Sequence, residues 1–430
     1  MTVTILGLGY IGLPTGSMLA LAGHDVNGYD VSPDVRARLR AGANHIAELE
    51  VRTLVAQALL TGKLRITDDV TPADAYLVCV PTPNASDGRP DLSYVQAAAK
   101  AIATRLRGGE LIVLESTVPP GTLERIFVPA LRAAGIDPDS VALAHCPERV
   151  IPGAIVRELR ENSRIIGGRR PQDAHRAREL YASFVTGGLF ETDATTAELV
   201  KVVENTFRDV NIALANELAV LCEELGVDAW EVIRLANEHP RVNILSPGPG
   251  VGGHCIPIDP QFLADAHPFT TELIQTARRV NARMPNHIVR LVRDHVPSGE
   301  RRKIALLGAS YKADVDDSRE SPTERLVALF EEHGYEVAVY DPIARGFKHG
   351  LSADLESAAQ GAEAIVLVVS HAIFASIEPE RVGALMRGRV LVDARNFFDA
   401  DKWRRAGFLV AALGKRAAGA LGPTYQHAAL

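Results

Sequence analysis

The first thirty residues leave a chain like this few folds to adopt. An apolar run at residues 3–6 leads into Gly7-Leu8-Gly9-Tyr10-Ile11-Gly12, a helical stretch follows to Ala22, and a second run at 25–30 ends in Asp30. Glycines at that spacing serve a tight turn, the close approach of a pyrophosphate to a helix N-terminus, and the packing of helix against strand. An acid closing the second strand accepts the hydroxyls of an adenosine ribose. Asp30 stands eighteen residues after Gly12, which suits that task. Its charge would repel a 2′-phosphate, so the pattern predicts an open α/β sheet that binds NAD rather than NADP.

The alternation of strand and helix continues through runs at 76–80 and 111–114. The loops after them, 81–84 and 115–122, fall at strand C-terminal ends, where such sheets bind ligands, so Thr82 and Thr117 are candidate cofactor contacts or simple turn hydroxyls. From Thr195 the pattern becomes one long helix running to Glu224, with Lys201, Asn205 and Arg208 at i, i+4 and i+7 on one face. A charged face is ordinarily solvated, but the rest of this helix is so apolar that it is expected to be mostly buried. Site and surface both remain open for that stripe. A second nucleotide-fold half begins at 302–312, and its next strand, 336–341, echoes 25–30 without the fingerprint glycines; runs at 364–369 and 390–393 extend it. The expected fold class is α/β: two Rossmann-like parallel-sheet domains joined by a central all-helical domain, with bounds 1–194, 195–296 and 297–430. Residues 295–300 link into the last domain, and a loose tail is expected from about Lys415.

A length of 430 residues with 47% hydrophobic and 23% charged residues suits a globular enzyme of two or three domains. A net charge of -7, with a pI near 6.0 and both signs interspersed, gives no support for nucleic acid or an anionic membrane as main partner. With no run of eighteen apolar residues and no charged leader, the expected location is the cytoplasm. The four cysteines are far apart, which argues against a disulfide framework or a structural zinc site, and no metal is expected. Cys79 and Cys222 lie in apolar runs and are expected in the core, while Cys146 ends a strand and is ambiguous. Cys255 differs, because it follows glycines at 248, 250, 252 and 253. Such a loop can take positive φ and bring a thiol close to a bulky ligand, or it can be a flexible turn with an incidental cysteine. Beside a dinucleotide fingerprint, the thiol suggests an oxidation that passes through a thioester.

Taken in order, the fingerprint, 115–121, 146–149, 198–205, 252–255 and 311–322 make nearly the whole chain resemble the UDP-glucose/GDP-mannose dehydrogenase family. Segments 146–153 and 239–254 are most similar to its UDP-N-acetylmannosamine 6-dehydrogenase branch; 256–259 is closer to UDP-N-acetylglucosamine 6-dehydrogenases. The resemblance implies that two NAD+ take a sugar C6 alcohol to a carboxylate without release of the aldehyde. It further implies a water held as base by Asp259 and Thr117 with Lys201 close by, attack by Cys255, oxyanion stabilisation by Lys201 and Asn205, and hydrolysis with Glu148 as base. Asp259 could also be only a helix cap, since Asp-Pro starts helices well. His254 is expected to be structural or to touch substrate, not to pair with its neighbour. Implied substrate contacts are Arg149, Val150, Lys201, Asn205, Arg208, His239, Arg241, Gly252, Tyr311, Lys312 and Arg395, with Arg241 reaching from a partner subunit. On the cofactor side stand Gly7, Gly9, Tyr10, Ile11, Gly12, Asp30, Thr82, Thr117 and Arg319. A homodimer packed on the long helix completes the expectation. Alternatives are UDP-N-acetylglucosamine or UDP-glucose as substrate and, more remotely, a two-electron NAD dehydrogenase or a non-catalytic NAD-binding protein.

Overall fold

Alternating apolar faces drive two separate sheets. A computed structural model of the chain describes residues 1–46, 48–83, 90–151, 153–253, 255–298 and 302–415. His254 and the tail beyond Lys415 lie outside the described residues. The chain divides into two compact units, residues 1–204 with 261–267, and residues 205–260 with 268–430.

The first unit holds eight strands: β1 (Thr2–Leu6), β2 (Asp25–Tyr29), β3 (Leu64–Ile66), β4 (Ala75–Val78), β5 (Leu111–Leu114), β6 (Ala142–His145), β7 (Arg164–Gly168) and β8 (Leu189–Asp193). Their order is β3-β2-β1-β4-β5-β6-β7-β8, and the pairings are parallel except β6 with β7. The first six follow the strand order of a dinucleotide-binding sheet. Residues alternate between its faces: Ala75, Leu77, Leu111 and Val113 enter one core, and Tyr76, Val78, Ile112 and Leu114 the other. A sheet buried on both faces needs such continuous apolar runs, which is why they stand out in the sequence. Helix α1 (Gly12–Leu21) is buried from Gly12 to Ala20, so it lies inside this unit rather than on its surface.

The second unit contains β9 (Arg302–Leu307), β10 (Tyr335–Tyr340), β11 (Ala362–Leu367), β12 (Val390–Asp393) and β13 (Leu409–Ala412), all parallel in the order β10-β9-β11-β12-β13. That is the other common doubly wound order, so the two sheets share a kind of fold but not a strand plan. The four-residue strand β13 is additional to those expected from sequence. Asp341 follows β10 as Asp30 follows β2, yet its surroundings differ. Its carboxylate accepts the N–H groups of Ala309 (2.6 Å), Ser310 (3.0 Å), Ile343 (2.8 Å) and Ala344 (2.8 Å), with His371 Nε2 at 2.9 Å. Burial alone would push this carboxyl up, but the bonds from His371 and the backbone outweigh it and hold the pKa well below the usual range.

Helix α2 (Ala194–Leu225) begins where Asp193 accepts the N–H and hydroxyl of Thr196, and ends at Gly226, whose φ is 75°. Residues up to Glu204 go with the first unit and the rest with the second. The expectation that α2 is mostly buried needs correction for the single chain. Leu199, Val203, Phe207, Leu214, Leu221 and Leu225 are 40% to 60% exposed. At 3.6 residues per turn these six fall within about 80° of one another. Asn205, Asp209 and Asn216, on the opposite side, are buried. The usual sidedness of a surface helix is thus inverted: polar groups face in and leucines face out. Among the further helices of the central region are α3 (Asp259–Ala266) and α4 (Glu272–Arg293). No described helix is long and apolar enough to cross a membrane.

Candidate active site

At the end of β1 the chain turns through Gly7, φ 93°, where a Cβ would come 2.5 Å from the Cys79 carbonyl oxygen. A Cβ on Gly12 would run into the Gly7 carbonyl, whereas one on Gly9 would meet nothing within 4 Å. Two fingerprint glycines are therefore required by the turn itself, and the third leaves backbone open to a ligand. Tyr10 is exposed, Ile11 is half-buried, and the start of α1 carries no side-chain cap. Asp30 is half-buried and, among the described residues, accepts two backbone N–H groups, Leu8 and Ser32, each at 2.9 Å, which leaves carboxylate lone pairs for ribose hydroxyls. This open turn, uncapped helix start and acid fit NAD. Thr82 Oγ1 donates to the Thr117 carbonyl at 2.8 Å, so these two candidates meet above β4 and β5. Arg319 lies in the second unit, exposed and paired with Asp317 at 2.7 Å.

Beneath the loops of the first unit lies a buried ionic cluster that the sequence did not announce. Glu115 accepts the Tyr181 hydroxyl (2.5 Å) and the Cys79 thiol (3.2 Å), and Arg164 stands 3.9 Å away over the Tyr181 ring. Cys79 is half-buried against the core, and Cys222 is fully in one. Cys146 is also enclosed, and burial pushes its thiol up to about 11 against the pull of Arg164, which disfavours the thiolate that a nucleophile needs. Glu148, two residues on, is buried and accepts the Val150 N–H at 2.7 Å. Burial pushes its carboxyl up, with Arg164 and Lys201 opposing, a tendency suited to a base working near neutrality. Arg149 is engaged by Glu204 at 3.0 Å and by the Ser163 carbonyl at 2.9 Å.

Glu198, one turn from Lys201 on α2, accepts the N–H groups of Gly121 and Leu123 and so ties the helix to the loop that carries Thr117. Burial pushes its carboxyl up to about 7 against those two bonds. The folded state therefore binds this proton more tightly than the unfolded state, and stability falls as pH rises from about 4.5 to about 7. Glu198→Gln removes that dependence. The melting temperature of the parent should exceed that of the variant by more at pH 5 than at pH 7.5; a gap constant across this range would contradict the assignment.

In the second unit, the Cys255 carbonyl accepts the N–H groups of Ile258 (3.1 Å) and Asp259 (2.9 Å), which puts the exposed thiol and Asp259 on one turn at the start of α3. Asn205 Nδ2 donates to buried Asp259 Oδ2 at 2.5 Å. Three candidates from two distant stretches thus converge, and Lys201 precedes Asn205 by one turn of α2. Lys201 is half-buried and Arg208 is exposed.

The glycines before Cys255 approach the chain itself rather than only a ligand. A Cβ on Gly248 would strike the Arg395 guanidinium, one on Gly252 would lie 2.6 Å from the Glu320 carbonyl oxygen, and one on Gly253 (φ 89°) 2.7 Å from the Tyr311 ring. The loop is thereby packed against two candidate substrate residues, Tyr311 and Arg395. Burial pushes the Arg395 guanidinium down to about 10, with Asp393 opposing. The three non-glycine residues with positive φ among those described are Asp314, Glu320 and Asn396, all beside this constellation, where backbone strain is most often retained. Lys312 is exposed, Val150 and Gly252 are half-buried, and His239 and Arg241 are exposed together, with the Arg241 N–H on His239 Nδ1 at 3.3 Å.

Comparison with known proteins agrees along the chain. Residues 1–185 match the NAD binding domain of the UDP-glucose/GDP-mannose dehydrogenase family, 195–283 its central domain, and 305–400 its UDP binding domain. A UDP-N-acetyl-D-mannosamine dehydrogenase from Methanococcus maripaludis is 42% identical over 424 residues, covering 96% of this chain and 97% of that one. An NDP-N-acetyl-D-galactosaminuronic acid dehydrogenase from Ralstonia nicotianae is 43% identical over 415 residues, covering 93% and 97%. The solved structure of UDP-D-ManNAc dehydrogenase from Pyrococcus horikoshii superposes with a TM-score of 0.91 at 42% identity, covering 96% and 99%.

Proposed function

Since the chain belongs to the UDP-glucose/GDP-mannose dehydrogenase family and is an NAD-dependent dehydrogenase, we propose that it oxidises the C6 hydroxyl of a nucleotide-sugar to a carboxylate through a thioester on Cys255. The substrate proposed is UDP-N-acetylmannosamine, in keeping with the names of the relatives from Methanococcus and Pyrococcus. The observation that carries the reading is the buried Asn205–Asp259 pair on the turn that presents Cys255.

Bound at the fingerprint turn, NAD+ would supply the hydride acceptor for C6, one NAD+ for the alcohol and a second, after the first has left as NADH, for the thiol adduct. Asp259 and Thr117 hold the water that takes the hydroxyl proton. The Cys255 thiolate then adds to the aldehyde carbon, and the oxyanion of the thiohemiacetal lies against the Lys201 ammonium and the Asn205 amide. One amide N–H of Asn205 is spent on Asp259, and the other is available to the oxyanion. Hydrolysis needs a base for the incoming water, and Glu148 takes that proton while the C–S bond breaks and the Cys255 thiolate leaves. Residues 1–194 hold NAD, 195–296 form the catalytic and dimerisation domain, and 297–430 bind the nucleotide. Arg149, Val150, Arg208, His239, Gly252, Tyr311, Lys312 and Arg395 contact substrate, joined by Arg241 of the second subunit. A reaction with these reactants belongs with the cytoplasmic pools of NAD+ and nucleotide-sugars.

The experiment is NADH formation with UDP-N-acetylmannosamine, UDP-N-acetylglucosamine, UDP-glucose and GDP-mannose side by side. Two NADH per UDP-N-acetylmannosamine consumed, with the highest kcat/KM on that sugar, is the expected result. One NADH per sugar overturns the thioester, and preference for another sugar overturns the specificity.

The second copy packs on the outward leucine stripe of α2. Covering six half-exposed apolar side chains is worth on the order of 5 kcal/mol before the entropy of association is subtracted, and a self-complementary stripe suits a twofold contact. Phe207→Glu places a charge in that contact and should shift sedimentation from dimer to monomer with loss of activity. A parent that sediments as an active monomer would exclude the dimer.

A further inference from the structure

The inward polar face of α2 continues past Asn205 into a directed relay. Arg278 on α4 pairs with Asp209 Oδ1 at 2.6 Å, and Asn281 Nδ2, also on α4, donates to the same oxygen at 2.8 Å and to the Asp209 carbonyl at 3.0 Å. Asn216 Nδ2 donates to Asn281 Oδ1 at 2.9 Å, and Asn216 Oδ1 accepts the Gly248 N–H at 2.8 Å. Asp209 and Asn216 are 0% exposed and Asn281 is 1% exposed, so no solvent can substitute for a lost partner without rearrangement.

The orientation of this relay is fixed from both ends. A backbone N–H only donates, so Asn216 must turn its oxygen to Gly248 and its NH2 to Asn281. Asn281 must then present its oxygen to Asn216 and its NH2 to a carboxylate that only accepts. Aligned bonds of this kind polarise one another, and the row ends on the Asp209–Arg278 ion pair. Apolar side chains of similar volume would serve stability as well as buried amides do, but they would not hold one backbone N–H at one place.

What the relay holds is the loop that ends at Cys255. Gly248 sits between Asn216 and the Arg395 guanidinium, which in turn donates through Nε to the Val368 carbonyl at 2.8 Å. Gly250 faces Pro285, one turn of α4 beyond Asn281, at ordinary contact distance, and the Gly253 N–H reaches the Glu320 carbonyl at 3.2 Å.

We propose that Asn216 and Asn281 are positioning residues of the oxidation: they set the place of Gly248, and through it that of the Cys255 loop and of Arg395. The proposal rests on Cys255 being the nucleophile, although neither asparagine touches the reacting atoms.

The test uses Asn216→Asp, Asn281→Asp and the double variant in the full chain. Each single variant should lose at least about tenfold in kcat, towards the roughly 10²-fold that a small misplacement of reacting groups costs, with KM for NAD+ within about twofold of the parent. Alkylation of Cys255 by iodoacetamide, read by peptide mass, should change at least about threefold. The double variant should fall no further than about twofold below the worse single one, because a relay is broken once. A single variant with kcat and alkylation rate both within twofold of the parent overturns the proposal, as do losses that multiply. Where circular dichroism shows an Asp variant unfolded, Asn216→Ser replaces it, keeping an acceptor for Gly248 and dropping the donor to Asn281, with the same thresholds. Cys255→Ser run alongside separates the two claims. If it retains activity the thioester reading fails, while alkylation of the asparagine variants still judges the relay; if it is inactive and those variants behave as the parent, the relay alone fails.

Discussion

Cys255→Ser is expected to reduce production of the carboxylate by about 10³-fold or more. The side chain is exposed, so a hydroxyl fits in its place without a steric cost, and the loss is one of chemistry. A serine hydroxyl stays protonated at neutral pH unless a base is lined up on it, whereas a cysteine holds a useful fraction of thiolate. Without addition to the aldehyde there is no second hydride to remove, so the variant should form at most one NADH per sugar in a single turnover. NAD affinity, measured by quenching of protein fluorescence, should be that of the parent, because the fingerprint turn and Asp30 belong to the first unit. A serine variant that forms two NADH per sugar at the parent rate would exclude covalent catalysis at this residue.

Asn205→Ala carries the second large expected effect. Its amide supplies one donor to Asp259 and, in the proposed reaction, one to the oxyanion, so truncation removes both. Loss of one oxyanion donor costs about 10² to 10³ in kcat, roughly 2.7 to 4 kcal/mol. Loss of the hydrogen bond to the buried Asp259 carboxylate costs about 1.5 to 3 kcal/mol of stability besides. Asn205→Asp is a sharper control: it sets a carboxylate against Asp259 at hydrogen-bonding distance, so one of the two must hold a proton, and activity should fall most at high pH, where both would ionise. An Asn205→Ala enzyme with raised KM and unchanged kcat would show that the residue only binds substrate.

The part of this molecule that was legible in its sequence was local. The β1–α1–β2 unit announces itself because glycines, strand and acid lie within thirty residues, and buried strands of a two-faced sheet are continuous apolar runs. Strand β13 was missed because four residues after a glycine carry too little pattern to stand out. The burial of α2 within the single chain was overestimated for a different reason: apolar content shows that leucines need cover but not what supplies it. The loop glycines were assigned to a ligand, although they approach residues far along the chain: Tyr311 is 58 positions from Gly253, Glu320 is 68 from Gly252 and Arg395 is 147 from Gly248. Asp209, Asn216 and Asn281 could not be recognised as a set, since the relay joins residues 65 positions apart, though polar side chains at helical spacing among leucines were a signal for the two on α2.

Two sheets of one kind in a single chain raise a problem of mistaken identity, because the fold alone does not tell one crevice's ligand from the other's. Asp341 resolves it by saturation. An acid whose two oxygens are filled by four backbone N–H groups and a buried histidine has nothing to offer a ribose, whereas Asp30 has two such donors among the described residues. NAD+ should therefore not compete with nucleotide-sugar for the second crevice even in large excess, and the inhibition pattern of each substrate on the other should stay non-competitive. The second fold excludes the cofactor by being chemically complete.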